Sequence, residues 1–501
     1  MKPAQSLPRI TLEGVQLPDG FCLATLRLVQ RLDAPSQCEL CWSTPWPDPD
    51  QRDQPDFPAI GRLLTVALAS HPLFSGEITA LEYLHEPSGG FTLRLRAYDA
   101  LARLQRRQSL STHVEVTTAE LLRTLCTAAD MTVEEAVEEE GPLWSRIIPR
   151  FPHDLALLRH YCGRSGLHFH LREGAVCLLT PTPPTAADRE LVLGKDLFEA
   201  AIEDNRLRQV DAVQVLGWDP HTGVARQGIT PLPFRSDPDP GPALARTLPG
   251  RPLAGEAEAL ALARSEAVRL RHEGLTFEGV AEGDAQLRPG MWVTPRGLAT
   301  GGLPPFLLTA VVHSVDTRQG YQCELSSRPQ PQDPPSPMQT LVLGEVCDVA
   351  DPESRGRVQV LLDSYAEAVS PWLLVTQPGA GRDKGLVALP EVGDQVVVAL
   401  PEGDPARGIV LGGIYGGEGP PRGLGRTRRG RSQRPYLLTT RGGQRIEFND
   451  GDGSIRLQNR SGSYLHLTPE GIVLHAAGTL VLESPEEPLT LRARTIDMEQ
   501  A

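Results

Sequence analysis

At 501 residues, with a formal net charge of −14 and a sequence pI near 5.4, the chain is long enough for about three or four domains and too acidic for general affinity for nucleic acid or anionic membranes. No run approaches the eighteen or more apolar residues that cross a bilayer, and the start, "MKPAQSLPRITLEG", lacks the apolar core of a secretory signal. The eight cysteines are scattered and most of them read as buried thiols, while 48 Gly and 46 Pro beside few aromatics predict a mostly β chain of short strands joined by turns.

Residues 1–100 hold alternating segments, among them "CLATLRLVQRL", "LLTVALA", "SGEITALEYL" and "GFTLRLRAYDA", broken by the Pro/Asp-rich "PWPDPDQRDQPDFP"; they predict a first β-barrel or sandwich. Residues 101–189 read as a helical and hairpin insert. In "TTAELLRTLCTAADM", Leu121, Leu122, Leu125 and Ala128 fall at helical spacing, with Thr117 or Thr118 as N-cap. "HDLALLRHYCGRSG" predicts a second helix after Pro152 that ends in glycines, and "LHFHLREGAVCLLTP" a hairpin. From 190 to 328 strands return around one amphipathic helix, "GEAEALALARSEAVRLRHEG", predicting a second barrel. A Pro-rich spacer follows at 329–340, then a module at 341–417 with the size and roughly five strand-like runs of an OB-type barrel. An Arg-rich linker occupies 418–435.

The tail, 436–501, is different again. "RIEF", "SIRL", "YLHL", "IVLH", "LVLE" and "LTLR" recur between turn-forming clusters. Ile446/Phe448, Ile455/Leu457, Leu465/Leu467, Ile472/Leu474, Leu480/Leu482 and Leu489/Leu491 each put two apolar side chains on one strand face. Such short strands with a single narrow stripe cannot enclose a core alone. The economical solution is edge-to-edge pairing of identical chains about a shared axis, three making a triangular prism with these twelve residues inside. A plain sheet folded against the preceding barrel in a monomer is the alternative.

The run from Gly344 to Tyr415, through Asp351-Pro352, Gly356-Arg357-Val358, Trp372, Leu389-Pro390, Val392-Gly393-Asp394, Val396, Gly403-Asp404-Pro405 and Gly412, closely resembles the OB-type domain of VgrG proteins and of spike proteins from contractile phage tails and extracellular injection systems. Upstream, "LFSGEITALE", "YDALARLQRRQS", "FPHDLALLRHYCGRSGLHFHL" and "LRPGMWV" are similar to landmarks of the family's hub, in the family's order. The resemblance implies a mainly β fold with some α: two hub β-barrels with helices, a five-stranded OB-type collar and an intertwined trimeric β-prism needle. It implies a homotrimeric spike that joins inner tube or tube-initiator protein and baseplate proteins at the hub end to a PAAR-type tip protein at the needle end, with cargo effectors as further partners. Such a spike is made in the bacterial cytoplasm, assembled into a contractile particle and ejected, meeting a target membrane only on firing. No lysozyme-like insertion between OB module and needle and no fused effector is therefore expected, and the short needle is expected to favour a phage-tail-like particle over type VI secretion.

Other features weigh against chemistry. Between 341 and 416 eleven Asp/Glu face five Arg/Lys, which would repel nucleic acid from an OB surface. Arg422, Arg426, Arg428, Arg429, Arg431 and Arg434 could hold an anion or nucleic acid, or serve as a solvated connector that meets the acidic collar. Cys38 and Cys41 have half a zinc-knuckle spacing but sit on a strand, thiols on opposite faces. His168 and His170 share a strand face and could grip a metal with a third ligand, against the commoner reading of paired polar groups on an exposed face. "VEEAVEEEG" reads as a solvated acidic face, and no nucleophile elbow, P-loop or H-E-x-x-H appears. The expectation is therefore a structural protein with no catalytic residues, cofactor or metal. A spike with its own envelope-degrading activity and a monomeric binding module are the competing classes. At the tip, Thr495, Ile496 and Met498 keep apolar character to the end of the sequence, and are expected to dock the cone protein.

Overall fold

The computed structural model describes residues 8–16, 22–45, 58–68, 71–85, 90–134, 141–205, 207, 210–232, 244–299, 302–316, 318–329, 340–416, 419 and 436–499. The Pro/Asp-rich loop, most of the acidic run, the Pro-rich spacer and all six linker arginines lie outside them. Two compact units, 1–413 and 414–501, are described separately below.

The first unit is organised by one eleven-stranded antiparallel sheet. Its order is Leu197–Asp204, Leu275–Glu282, Gly320–Ser326, Ala310–Asp316, Cys22–Arg31, Gln37–Pro45, Gly90–Tyr98, His71–His85, Leu63–Leu68, Arg9–Leu12 and Val15–Gln16. The two hub regions, expected as separate barrels, are thus joined edge to edge: Ala310–Asp316 pairs with Cys22–Arg31 from Ala310↔Arg31 to Asp316↔Thr25. Each keeps its own core. Leu12, Leu26, Leu40, Trp42, Leu64 and Leu95 fill the first and Leu197, Phe277, Val293, Leu308 and Leu325 the second, with Tyr321 packed against both.

The insert hangs from this sheet on local signals that the sequence carries plainly. Helix α1, Thr118–Thr127, starts at a reciprocal capping box: Thr117 Oγ1 accepts from the Glu120 N–H and the Glu120 carboxylate accepts from the Thr117 N–H. Helix α2, Asp154–Ser165, is capped by His153 Nδ1 accepting from the Ala156 N–H, and closes at Gly166, whose φ of 70° favours a residue without Cβ. Both helices bury leucines against Trp144, Phe169 and Val176. Asp33, at the end of the Cys22–Arg31 hairpin arm, pins the insert: its N–H donates to the Phe169 carbonyl, and its carboxylate accepts from Phe169 N–H and meets His168 Nδ1.

Helix α3, Glu256–Gly274, lies on a sheet of Ala225–Pro231, Ala212–Trp218 and Ala245–Pro252. The approach is close because Gly228 has no side chain; a Cβ there would sit 2.4 Å from the Ala259 carbonyl carbon. The OB-type module forms a six-stranded sheet, in the order Ala368–Val369, Gln359–Leu362, Thr340–Asp348, Gln395–Leu400, Ile409–Gly413 and Leu374–Val375, around Val346, Val360, Val398 and Leu400. The second unit is a five-stranded antiparallel meander of Tyr436–Thr439, Arg445–Asn449, Ser454–Gln458, Tyr464–Thr468 and Gly471–His475.

Candidate functional site

Register in the tail meander sorts its side chains onto two faces. On one, Tyr436, Phe448, Ile455, Leu467 and Ile472 align across all five strands, and beside them Leu438, Ile446, Leu457, Leu465 and Leu474 make a second row. The opposite face carries Leu437, Glu447, Arg456, His466 and Val473 in one row and Thr439, Arg445, Gln458, Tyr464 and His475 in the next. There Arg445 pairs with Glu447 at 2.8 Å and the Arg456 guanidinium lies 4.6 Å from the Tyr464 ring centre. Among the described residues nothing fully covers the apolar rows: Ile472 is 70% exposed and Leu474 55%, while Ile446, Leu465 and Leu467 are half-buried. The two rows form a contiguous strip of aliphatic and aromatic groups that is largely open to solvent.

Leu480, Leu482, Leu489 and Leu491 lie beyond the last strand in chain that pairs with no neighbour, and all four are exposed. Among the described residues the expected fifth and sixth runs are not strands, although Gly471–His475 ends the meander with an open edge. Thr495, Ile496 and Met498 follow in the same extended stretch, also exposed.

The collar sheet shows a second apolar face. Leu341 and Leu343 project outward beside Val397, Ala399, Ile409 and Leu411; Leu341, Leu343 and Leu411 are exposed. Its landmark loop is knotted around one carboxylate. Asp351 accepts from the backbone N–H groups of Glu353, Arg355 and Arg357 and from Arg357 Nε and Nη2, the last at 2.6 Å. The Arg357 hydrogen bonds, then these amides, hold Asp351 well below the usual carboxylate range.

Between hub and collar lies a charged clasp that no local sequence pattern marks. Glu258, in the first turn of α3, accepts from Arg164 of α2 at 2.7 Å and from Arg407 of the collar at 2.6 Å, both on Oε1, while its Oε2 takes the Ala254 N–H. Arg407 also donates to the Pro252 carbonyl and pairs with Asp404 at 3.1 Å. Glu402 of the collar accepts from Arg251 at 2.6 Å and Arg164 at 3.2 Å. Arg150 approaches Asp404 at 3.9 Å. Nearby, Arg146 donates to the Val369 and Ser370 carbonyls, and Ile148 packs on Ala368 and Ala406. Burial pushes Glu258 upward, but Arg407 and Arg164 outweigh it and hold the carboxyl at about 2. The only sequence signal for this was the family landmark Gly403-Asp404-Pro405; its partners on α2 and α3 lie more than a hundred residues away.

The other singled-out residues take structural places. His168 and His170 are not on an exposed face. His168 is engaged by Asp33, which outweighs the effect of burial and raises its pKa; His170 is buried and pushed to about 4 by burial and by Arg172 and Arg288. Among the described residues no three potential ligands gather to hold a metal. Cys38 is in the first core, its thiol pushed far up by burial, and Cys41 is half-buried. Among the described residues no helix is long and apolar enough to cross a membrane.

Residues 342–415 match the family model for the type VI secretion system/phage-baseplate injector OB domain. Among curated proteins, the type VI secretion system spike protein VgrG1c of Pseudomonas aeruginosa is 33% identical over 100 residues, 18% of this chain and 14% of its own. VgrG1a of the same organism is 31% identical over 141 residues, 26% and 21%. The matches thus span a small part of these relatives' length. Among solved structures, an Escherichia coli type VI secretion component described as similar to the T4 tail proteins gp27 and gp5 superposes with a TM-score of 0.51 at 14% identity, over 81% of this chain and 99% of that one. A Francisella PdpA–VgrG complex superposes with a TM-score of 0.56 at 7% identity, over 93% and 87%. The fold is that of these spike and tail proteins.

Proposed function

We propose that this VgrG-like chain is the structural central spike of a contractile injection system, joining the tube and baseplate end of the machine to its piercing tip. The observation that carries the reading is the pairing of an injector-type OB domain with a tail sheet whose one face is apolar across all five strands and uncovered. Three copies packed about one axis would turn those faces into a common interior, and the outward apolar face of the collar would be covered in the same way. In that assembly Leu480, Leu482, Leu489 and Leu491 find strand partners on neighbouring copies and complete the needle core with Ile446, Phe448, Ile455, Leu457, Leu465, Leu467, Ile472 and Leu474. The hub meets the inner tube or its initiator, and the needle end, at Thr495, Ile496 and Met498, takes a small PAAR-type cone by apolar burial and strand-edge pairing. The spike works by geometry and not by catalysis; it is made in the cytoplasm and leaves the cell only when the particle fires.

In the bacterium that makes it, deleting the gene should abolish assembled tube-and-sheath particles, and the full-length chain supplied in trans should restore them. Normal particles in the deletion strain would overturn the reading. For the tip, a chain truncated after Leu489 should fail to capture the cone protein that full-length chain retains; equal capture by both would remove that docking site. Clearing of peptidoglycan or polysaccharide by purified protein would instead establish an enzymatic spike.

A further inference from the structure

The clasp between hub and collar holds more positive charge than its acids compensate. Arg150, Arg164, Arg251 and Arg407 face only three carboxylates, and a guanidinium cannot shed its proton to escape the cost of burial. Every carboxylate oxygen is already engaged: both of Glu258 and of Glu402 as described above, and in Asp404 one by Arg407 and one by the Ala406 N–H. Two donors are left over. Among the described residues, Arg150 Nη1 and Arg164 Nε are shielded from solvent and meet no protein acceptor within hydrogen-bond distance, and the Arg164 side chain is only 10% exposed.

His160 reports the same imbalance from its place beside them. Its Nε2 lies 3.5 Å from Arg150 Nη2, and its ring packs against Phe151 and Tyr161. Burial lowers its pKa most, and the charges that lower it further are Arg164, Arg150, Arg407 and Arg251. The potential there is positive, in a chain whose net charge is −14. The imidazole stays neutral and accepts from Arg150, so it does not add to the excess.

We infer that the clasp binds one small monovalent anion of the halide class, seated against Arg150 and Arg164 and accepting from their two unused N–H groups. A single negative charge matches the one uncompensated guanidinium, and a spherical acceptor makes no demand on orientation in a cluster where every carboxylate is already committed. This would make the joint between hub and collar tighter in halide, independently of whether the chain acts as a spike.

The test is the melting temperature of the full-length chain as sodium bromide replaces sodium gluconate at constant ionic strength. A saturable rise of a few degrees is expected for the natural chain and for the remote surface variant Arg296→Met, and its loss in Arg150→Met. No saturable response in the natural chain, or an equal one in Arg150→Met, would overturn the site. Should Arg150→Met fail to fold, anomalous diffraction from crystals of the natural chain grown in bromide decides: a bromine peak in contact with Arg150 and Arg164 is expected, and its absence there refutes the inference.

Discussion

Neutralising the keystone of the clasp by Glu258→Gln is a perturbation whose size follows from the structure. Glu258 is buried, receives two guanidiniums on one oxygen and an amide on the other, and its carboxyl is held at about 2 against 4.5 for an ordinary glutamate. At ~1.4 kcal/mol per pH unit that difference is worth about 3 kcal/mol, in line with the ~3–5 kcal/mol typical when one partner of a buried ion pair is removed. Because the folded pKa is depressed, the contribution is fully present above 4.5 and is lost as the pH falls toward 2. Urea unfolding of natural and variant chains, followed by near-ultraviolet circular dichroism, should therefore show a gap of about 3 kcal/mol at pH 7 that shrinks to roughly half at pH 3. A loss below about 0.5 kcal/mol at pH 7, or a gap that ignores pH, would refute the view that this carboxylate ties hub to collar.

Gly228→Ala puts a Cβ 2.4 Å from the Ala259 carbonyl carbon and should cost about 1–3 kcal/mol in thermal unfolding by pushing α3 off its sheet; an unchanged melting temperature would show that the helix can give way. His170, buried among Arg172, Arg288, Asp33 and Glu134, titrates at about 4 in the fold against 6.5 in the open chain, so it favours the native state above 6.5 and progressively less as the pH falls toward 4. Stability measured from pH 7 to 4 should fall less steeply in His170→Gln, and equal slopes would place the acid sensitivity elsewhere. Leu474→Asp in a threefold needle would bring three carboxylates to one axis, each costing several kcal/mol to desolvate, and gel filtration should show the assembly dissociating; an intact one would put that face in solvent.

The mainly β class, the three helices, the N-cap of α1 and the glycine end of α2 were legible because they are written in local chemistry: Thr117 with Glu120 three residues on, and Gly166 after "HYCGRS". The alternation in the tail likewise carried its two faces. What was not legible joins distant segments. Nothing in Cys22–Arg31 says that it will pair with Ala310–Asp316, since a strand with two good edges does not name its neighbours, so two hub regions were read where one sheet runs through both. Two of the collar's six strands, Ala368–Val369 and Leu374–Val375, are too short to leave a pattern. The clasp draws single residues from α2, the start of α3, the Ala245–Pro252 strand and the collar turns, and each taken alone is an ordinary charged side chain. His168 was misplaced for the same reason: its partner Asp33 is 135 residues away.

The account rests most heavily on the open apolar face of the tail being an interior shared by three copies. Multi-angle light scattering of the full-length chain at micromolar concentration measures this directly. Three chains of 54.4 kDa should give a single species of ~163 kDa, and removal of residues 436–501 should weaken it. A mass of 54.4 kDa for the full-length protein would contradict it.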